Sequence, residues 1–166
     1  MDSKKWIVVG VVAVLVLLGI FWFLGQQSSK AEKAAAEECL SLTDDTMDEL
    51  GSIVASWNGS GISPVDVESR VETAESEWSD VRSSDLKGAC KQAGDAIDDS
   101  IAEFGMVPSA WSNAYDECYF DYYCTQDPSD YGWVYGGADY MDSGEKAFDR
   151  AESILVKIDE GELSAQ

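Results

Sequence analysis

The residues best suited to recognition chemistry are gathered in one segment, 115–140. Nine of the chain's 18 aromatic residues lie there, and from Gln92 to Glu145 the chain has 12 acidic residues and no lysine or arginine. Tyrosine and tryptophan combine an apolar ring with a polar edge, and their ring faces attract cations. This composition is typical of a surface that binds a cationic group. The candidate binding residues are Tyr131, Trp133 and Tyr135, which lie among glycines in the predicted loop.

The alternative is that these rings only pack the segment back onto the rest of the protein. Small domains need most of the apolar area they can bury, so a structural role has to be weighed at each ring. The two interpretations differ in what serine substitutions would do. Loss of binding with the fold intact would indicate a recognition surface, whereas unfolding would indicate a core.

Catalytic arrangements are scarce in this composition. The chain has no histidine, which removes the usual general base and the Ser-His and Cys-His pairs of nucleophilic catalysis. A carboxylate pair of the glycosidase kind is the arrangement that the composition permits most easily. However, acidic residues occur on nearly every predicted helix and no pair stands out. We therefore predict a protein that is not an enzyme and has no cofactor, with a small carboxylate-pair hydrolase as the least favoured alternative.

A metal site is not predicted either. No two of the four cysteines have the spacing of a zinc knuckle. The segment that begins at Asp127 resembles an EF-hand loop at its first, third and sixth positions, but Ala138 stands where the bidentate glutamate should be. A calcium site of another kind, built from Asp127, Asp130 and Asp139, remains an alternative.

The charge of the chain restricts its partners. Aspartate and glutamate number 32 against 11 lysines and arginines, for a formal net charge of −21. A phosphate backbone would be repelled, so nucleic acid is excluded as a partner. A protein or another cationic ligand fits better, although acidity that serves only solubility or a saline habitat stays possible on composition alone.

The N-terminal region predicts a membrane anchor. Residues 6–24 carry no charge and as a helix would span about 28 Å, close to the thickness of a bilayer's hydrocarbon core. We expect residues 1–5 to be a cytoplasmic tail and 25–33 a linker, with the rest of the chain outside the cytoplasm at the cell surface. The alternative is a signal peptide cleaved near residues 29–36, which would give a secreted protein.

The remaining sequence predicts an all-α fold, an up-and-down bundle of four to five helices over residues 34–161 followed by a tail, 162–166. A serine cap and a proline at Ser63-Pro64 mark the start of the second helix. Its apolar face has steps of four, three, four and three residues: Val67, Val71, Ala74, Trp78 and Val81.

The segment before the last helix is predicted to be irregular. Gly105 is expected to end the third helix, and 108–122 to form a further one that returns along the bundle. Residues 125–138 contain Pro128 and several glycines, which indicates a long loop or short hairpin. The last helix should begin near Asp142.

The four cysteines are predicted to form two disulfides, because an even number in an exported domain is typical of paired thiols. Register along antiparallel helices favours Cys39–Cys90 with Cys118–Cys124, both at the membrane-proximal end. The second bridge requires the helix to stop before Cys124, since six helical residues separate Cα atoms by about 9 Å. The two other pairings stay open.

Overall fold

In the part of the chain that the computed structural model describes, every secondary-structure element is helical. That part comprises residues 3–59, 61–82, 86–121, 124–125 and 127–165, with side chains described from residue 30 onwards. The element order is α1 (Ser3–Asn58), α2 (Pro64–Arg82), α3 (Gly88–Phe120), α4 (Pro128–Gly132), a five-residue π-helical turn that we term the π segment (Trp133–Gly137), and α5 (Ala138–Asp159). The predicted helical bundle is confirmed.

The second helix forms as its sequence predicts. The hydroxyl of Ser63 accepts a hydrogen bond from the Asp66 backbone N–H at 3.1 Å, and Pro64 occupies the first helical position, where its missing N–H has no consequence. The predicted apolar face is the buried one, from Val67 to Val81. Local capping and helical periodicity therefore agree with tertiary packing in this element.

The four long helices alternate in direction around a common core. α1 packs against α2 and α5, and α3 packs against the same two helices. A disulfide joins Cys39 in α1 to Cys90 at the start of α3, whereas Asn58 at the end of α1 donates a hydrogen bond to Glu145 in the first half of α5. α1 and α3 therefore run in one direction and α2 and α5 in the other.

Two polar side chains of the core, Trp78 and Ser100, are hydrogen-bonded. Trp78 is buried, and its Nε1 donates to Asp98 at 2.9 Å. The buried hydroxyl of Ser100 donates to the Gly144 carbonyl at 3.0 Å, which ties α3 to α5. These bonds fix the register of neighbouring helices at little desolvation penalty. The largest side chains buried around them are Leu50, Ile53, Ile97, Phe104 and Met141.

The third helix does not end at Gly105, and the separate helix predicted over 108–122 is wrong. α3 continues to Phe120 with Pro108 inside it. A proline in a helix interior removes one backbone hydrogen bond and is normally unfavourable. Here Phe104 and Val107, in the turn that precedes it, are fully buried, so the helix is held by packing where its local sequence would break it.

The loop or hairpin predicted over 125–138 is also wrong. α4, the π segment and α5 follow one another from Pro128 to Asp159, and Asp127 caps the run by accepting from the Ser129 N–H at 2.9 Å. The glycines serve close packing here and not turns. A Cβ at Gly136 would lie 2.7 Å from the carbonyl carbon of Ala110, well inside contact distance.

Both disulfides have the pairing that the sequence favours. The Cα atoms are 5.8 Å apart in Cys39–Cys90 and 5.3 Å apart in Cys118–Cys124. The chain leaves the helix after Phe120, and the Cys124 N–H donates to the Asp121 carbonyl at 3.0 Å. This turn supplies the helix end that the short bridge requires.

The expected location of the second disulfide is wrong. Because α3 is continuous, Cys118 lies about 42 Å along the helix from Cys90, at the opposite end of the protein. The error follows directly from the missed continuity at Pro108. The C-terminal part of α3 (106–120) and the run 128–137 form a two-helix projection, closed by Cys118–Cys124, that we term the distal hairpin.

The N-terminal anchor predicted over residues 6–24 lies outside the residues whose side chains the structure describes. Within the described residues, no helix has both the length and the apolar character needed to cross a bilayer. The backbone of α1 is helical from Ser3, so it continues through residues 25–33, the predicted linker.

Candidate functional site

Small residues let the two arms of the distal hairpin approach closely. Gly132 lies against the indole of Trp111, where a Cβ would come within 2.8 Å of Nε1, and Gly136 lies against the backbone at Ala110. The arms lie too close together to hold larger side chains between them, so those side chains lie on the outside of the contact between the two arms. This close packing fixes the positions of the tyrosines that follow.

Tyr131 and Tyr135 form a ring pair on the surface of the hairpin. Their ring centroids are 4.3 Å apart and their planes are inclined by 35°. Tyr135 is 62% exposed, and Tyr131 is half-buried. Two of the three predicted binding residues are thus brought together with ring area open to solvent.

Trp133 turns the other way. Its ring lies 5.1 Å from that of Trp57 in α1, and it packs on the main hydrophobic core. A Cβ at Gly137 would collide with the same indole, at 2.6 Å. Trp133 is therefore positioned as a core residue that docks the hairpin onto the bundle, and the structural interpretation fits this ring.

The charges around the ring pair are negative. Partial burial raises the pKa of the Tyr131 phenol, and the nearby groups Glu117, Tyr135 and Asp121 raise it further. Tyr131 therefore keeps its proton further into alkaline pH than an ordinary tyrosine, and its hydroxyl can donate a hydrogen bond. The sequence contains no lysine or arginine from residue 92 to 145. We term Tyr131, Tyr135, Glu117 and Asp121 the tyrosine–carboxylate site.

A second row of rings follows α3. Trp111 and Tyr115 stack at 4.9 Å, Tyr115 and Tyr119 stack at 5.8 Å, and Phe120 meets Tyr119 edge-on at 5.1 Å. Phe120 is 79% exposed and Tyr119 is 62% exposed. The sequence predicted a helix here from the spacing of Trp111, Tyr115, Cys118 and Tyr122, a pattern that does not include Tyr119 or Phe120. Tyr122 lies outside the described residues.

The acidic residues do not assemble a metal site in the part of the chain described with side chains, where no group of three or more potential ligands lies close enough together. Among the three residues of the alternative calcium site, Asp127 instead caps α4. Sequence reasoning missed Glu117 and Asp121, because it treated the acids of this segment as a common background. Only the fold shows that these two lie beside Tyr131.

The chain matches no family model, and no curated protein or solved structure is significantly similar to it. The site therefore has to be interpreted from its own geometry.

Proposed function

We propose that this protein is a single-pass membrane protein whose helical domain lies outside the cytoplasm and binds a partner through the distal hairpin. One observation carries the proposal: Tyr131 and Tyr135 present paired, partly exposed rings near Glu117 and Asp121, in a segment whose charged side chains are all acidic. Such a site suits a lysine or arginine side chain of a protein partner, because cation–π attraction and charge attraction act on the same group.

The location is supported by two features. The uncharged run 6–24 has the length of a membrane span, and the two disulfides fit an oxidising compartment. α1 then provides a continuous helical connection into the bundle. Counted along α1 from residue 30 to Cys39 and then along α3 from Cys90 to Cys118, the tip of the distal hairpin lies about 55 Å from residue 30, on the side away from the proposed membrane.

Amine labelling of intact cells tests this topology. We expect a membrane-impermeant reagent to modify the exposed Lys146 and Lys157 and to leave Lys4 and Lys5 unmodified until the membrane is permeabilised. Mass spectrometry of the purified chain gives the labelled positions. Label that reaches Lys146 only after permeabilisation would place the domain in the cytoplasm and overturn the proposal. Absence of the peptide with Lys4 from the mature protein would favour the secreted alternative.

Serine substitutions separate the binding rings from the core ring. The double variant Y131S/Y135S should keep the melting temperature within about 5 °C of wild type, because neither ring packs on the hydrophobic clusters and two substitutions of this kind together cost about 1 kcal/mol. W133S should lose about 2 kcal/mol, since it removes a large ring from the core. Thermal unfolding followed by circular dichroism measures both.

The same variants report on binding. Y131S/Y135S should capture none of the partner that the wild-type chain captures from native membranes, and E117Q should capture less of it. Partner capture by Y131S/Y135S at the wild-type level would refute the tyrosine–carboxylate site. A large drop in its melting temperature would instead show that the two rings serve the fold.

A further inference from the structure

α1 and α5 are separated along part of their length by an open groove of about 600 Å³. The groove runs from Leu40 to Gly51 on α1 and from Asp159 back to Phe148 on α5. It ends where Gly51 approaches the Phe148 ring, since a Cβ there would lie 3.3 Å from Cζ. Eleven helical steps make the groove about 16 Å long, the length of about three turns of helix.

The floor of the groove is apolar. Leu40, Met47 and Phe148 are each half-buried there, and Leu155 lies beneath them. Val156, on the α5 side, is 49% exposed. These side chains provide a concave apolar strip between α1 and α5. Such a strip is the shape that receives the apolar face of an amphipathic helix.

The rim of the groove is acidic on both sides. Asp44 and Asp48 line it from α1, and Glu152 and Asp159 from α5, with no lysine or arginine among the lining residues. All four carboxylates are exposed, and none is in an ion pair within the described part of the chain. The groove therefore combines an apolar floor with two unneutralised acidic edges.

We propose that this groove binds a short amphipathic helix of a partner protein, with lysine or arginine on both sides of its apolar face. Charge complementarity selects this occupant, because each edge can pair with one basic flank. A second copy of this chain carries a net charge of −21 and would be repelled. An anionic lipid surface would be repelled for the same reason. Phe148, at the distal end of the groove, follows Tyr135 by 13 residues of a helical run, about 20 Å, so the two surfaces can be tested independently.

The test uses the full chain in a non-ionic detergent and a fluorescent 14-residue synthetic helix with leucines on one face and lysines on both flanks. We expect the anisotropy titration to show binding, with empty micelles as the blank. The same peptide with glutamate in place of lysine should not bind. The groove variant D44N/D48N/E152Q should weaken binding about tenfold, because three charge contacts are lost.

A matched variant, E68Q/E72Q/E75Q, removes three exposed acids from α2 and should change the affinity less than twofold. V156S should weaken binding about fivefold with an unchanged melting temperature, since it removes apolar contact at the exposed edge of the floor. An equal loss in the two charge variants would show attraction to the acidic protein as a whole and overturn the proposal. Wild-type affinity in the groove variant, or no binding by the wild-type chain, would overturn it as well.

Discussion

Removing the Cys39–Cys90 disulfide is expected to lower the free energy of unfolding by about 4 kcal/mol, and removing Cys118–Cys124 by about 2 kcal/mol. The bridges close loops with sequence separations of 51 and 6 residues, and in the chain-entropy model the longer loop restricts the unfolded chain more. The long bridge also lies in a small buried cluster with Ala93, Leu155 and Ile158.

Urea unfolding of C39A/C90A and C118A/C124A, each compared with the wild-type chain, measures the two effects. C118A/C124A is the matched control, because it also removes two sulfur atoms but opens a much shorter loop, at the distal hairpin. A C118A/C124A variant that loses as much stability as C39A/C90A would contradict the loop-length explanation. It would also indicate that the distal hairpin folds as one unit with the bundle.

Alanine at Gly136 should lower the free energy of unfolding by about 3 kcal/mol. The added Cβ would meet the backbone of Ala110, at 2.7 Å from the carbonyl carbon, and backbone atoms cannot rotate away as a flexible side chain can. Overpacking of this kind typically costs about 1–3 kcal/mol. The two arms of the distal hairpin must then separate, so partner binding at Tyr131 and Tyr135 should fall together with stability.

Gly105 offers the control for this substitution. It lies inside α3 and is exposed, and a Cβ there would make an ordinary contact with Val71 at 3.7 Å. G105A should therefore stabilise the protein by about 0.5–1 kcal/mol, because glycine is a poor residue in a helix interior. Thermal and urea unfolding of both variants test the contrast. Equal effects at the two glycines would refute the close packing inferred for Gly136.

The parts of the fold that the sequence predicted correctly are those in which local signals and packing agree. α2 has a serine cap, a proline in its first turn and a regular apolar face, and the structure buries that face. The Cys39–Cys90 pairing followed from the same regularity in the first three helices. Helix direction and register could be counted there because the turns between these helices are short.

The region after Gly105 could not be predicted because its local signals oppose its packing. Pro108 and the glycines of 132–137 normally end helices. Here the contacts between helices outweigh that local preference, and the helices continue through these residues. The glycines of this region, which the sequence pattern assigned to turns, are the residues that let α3 and the run 128–147 come into contact. Only the positions of both helices reveal that purpose.

The candidate site was predicted in part. Tyr131 and Tyr135 were identified from composition, but the same argument included Trp133, which the π segment directs toward Trp57. A π-helical turn changes which residues share a face, since its hydrogen bonds join residues five apart. No periodicity in the sequence predicts such a turn. Only the structure therefore shows that Trp133 packs on the core whereas Tyr131 and Tyr135 form a pair at the surface.

Photo-crosslinking in intact cells tests recognition at the distal hairpin most directly. In one variant a photoreactive residue replaces Val134, which is 60% exposed beside the ring pair. In a separate control variant the same residue replaces the exposed Glu75 of α2. We predict a discrete crosslinked product from position 134, absent from position 75 and lost in Y131S/Y135S, with a lysine or arginine in the crosslinked partner peptide. No product from position 134, or one that persists in Y131S/Y135S, would contradict a binding role for the tyrosine–carboxylate site.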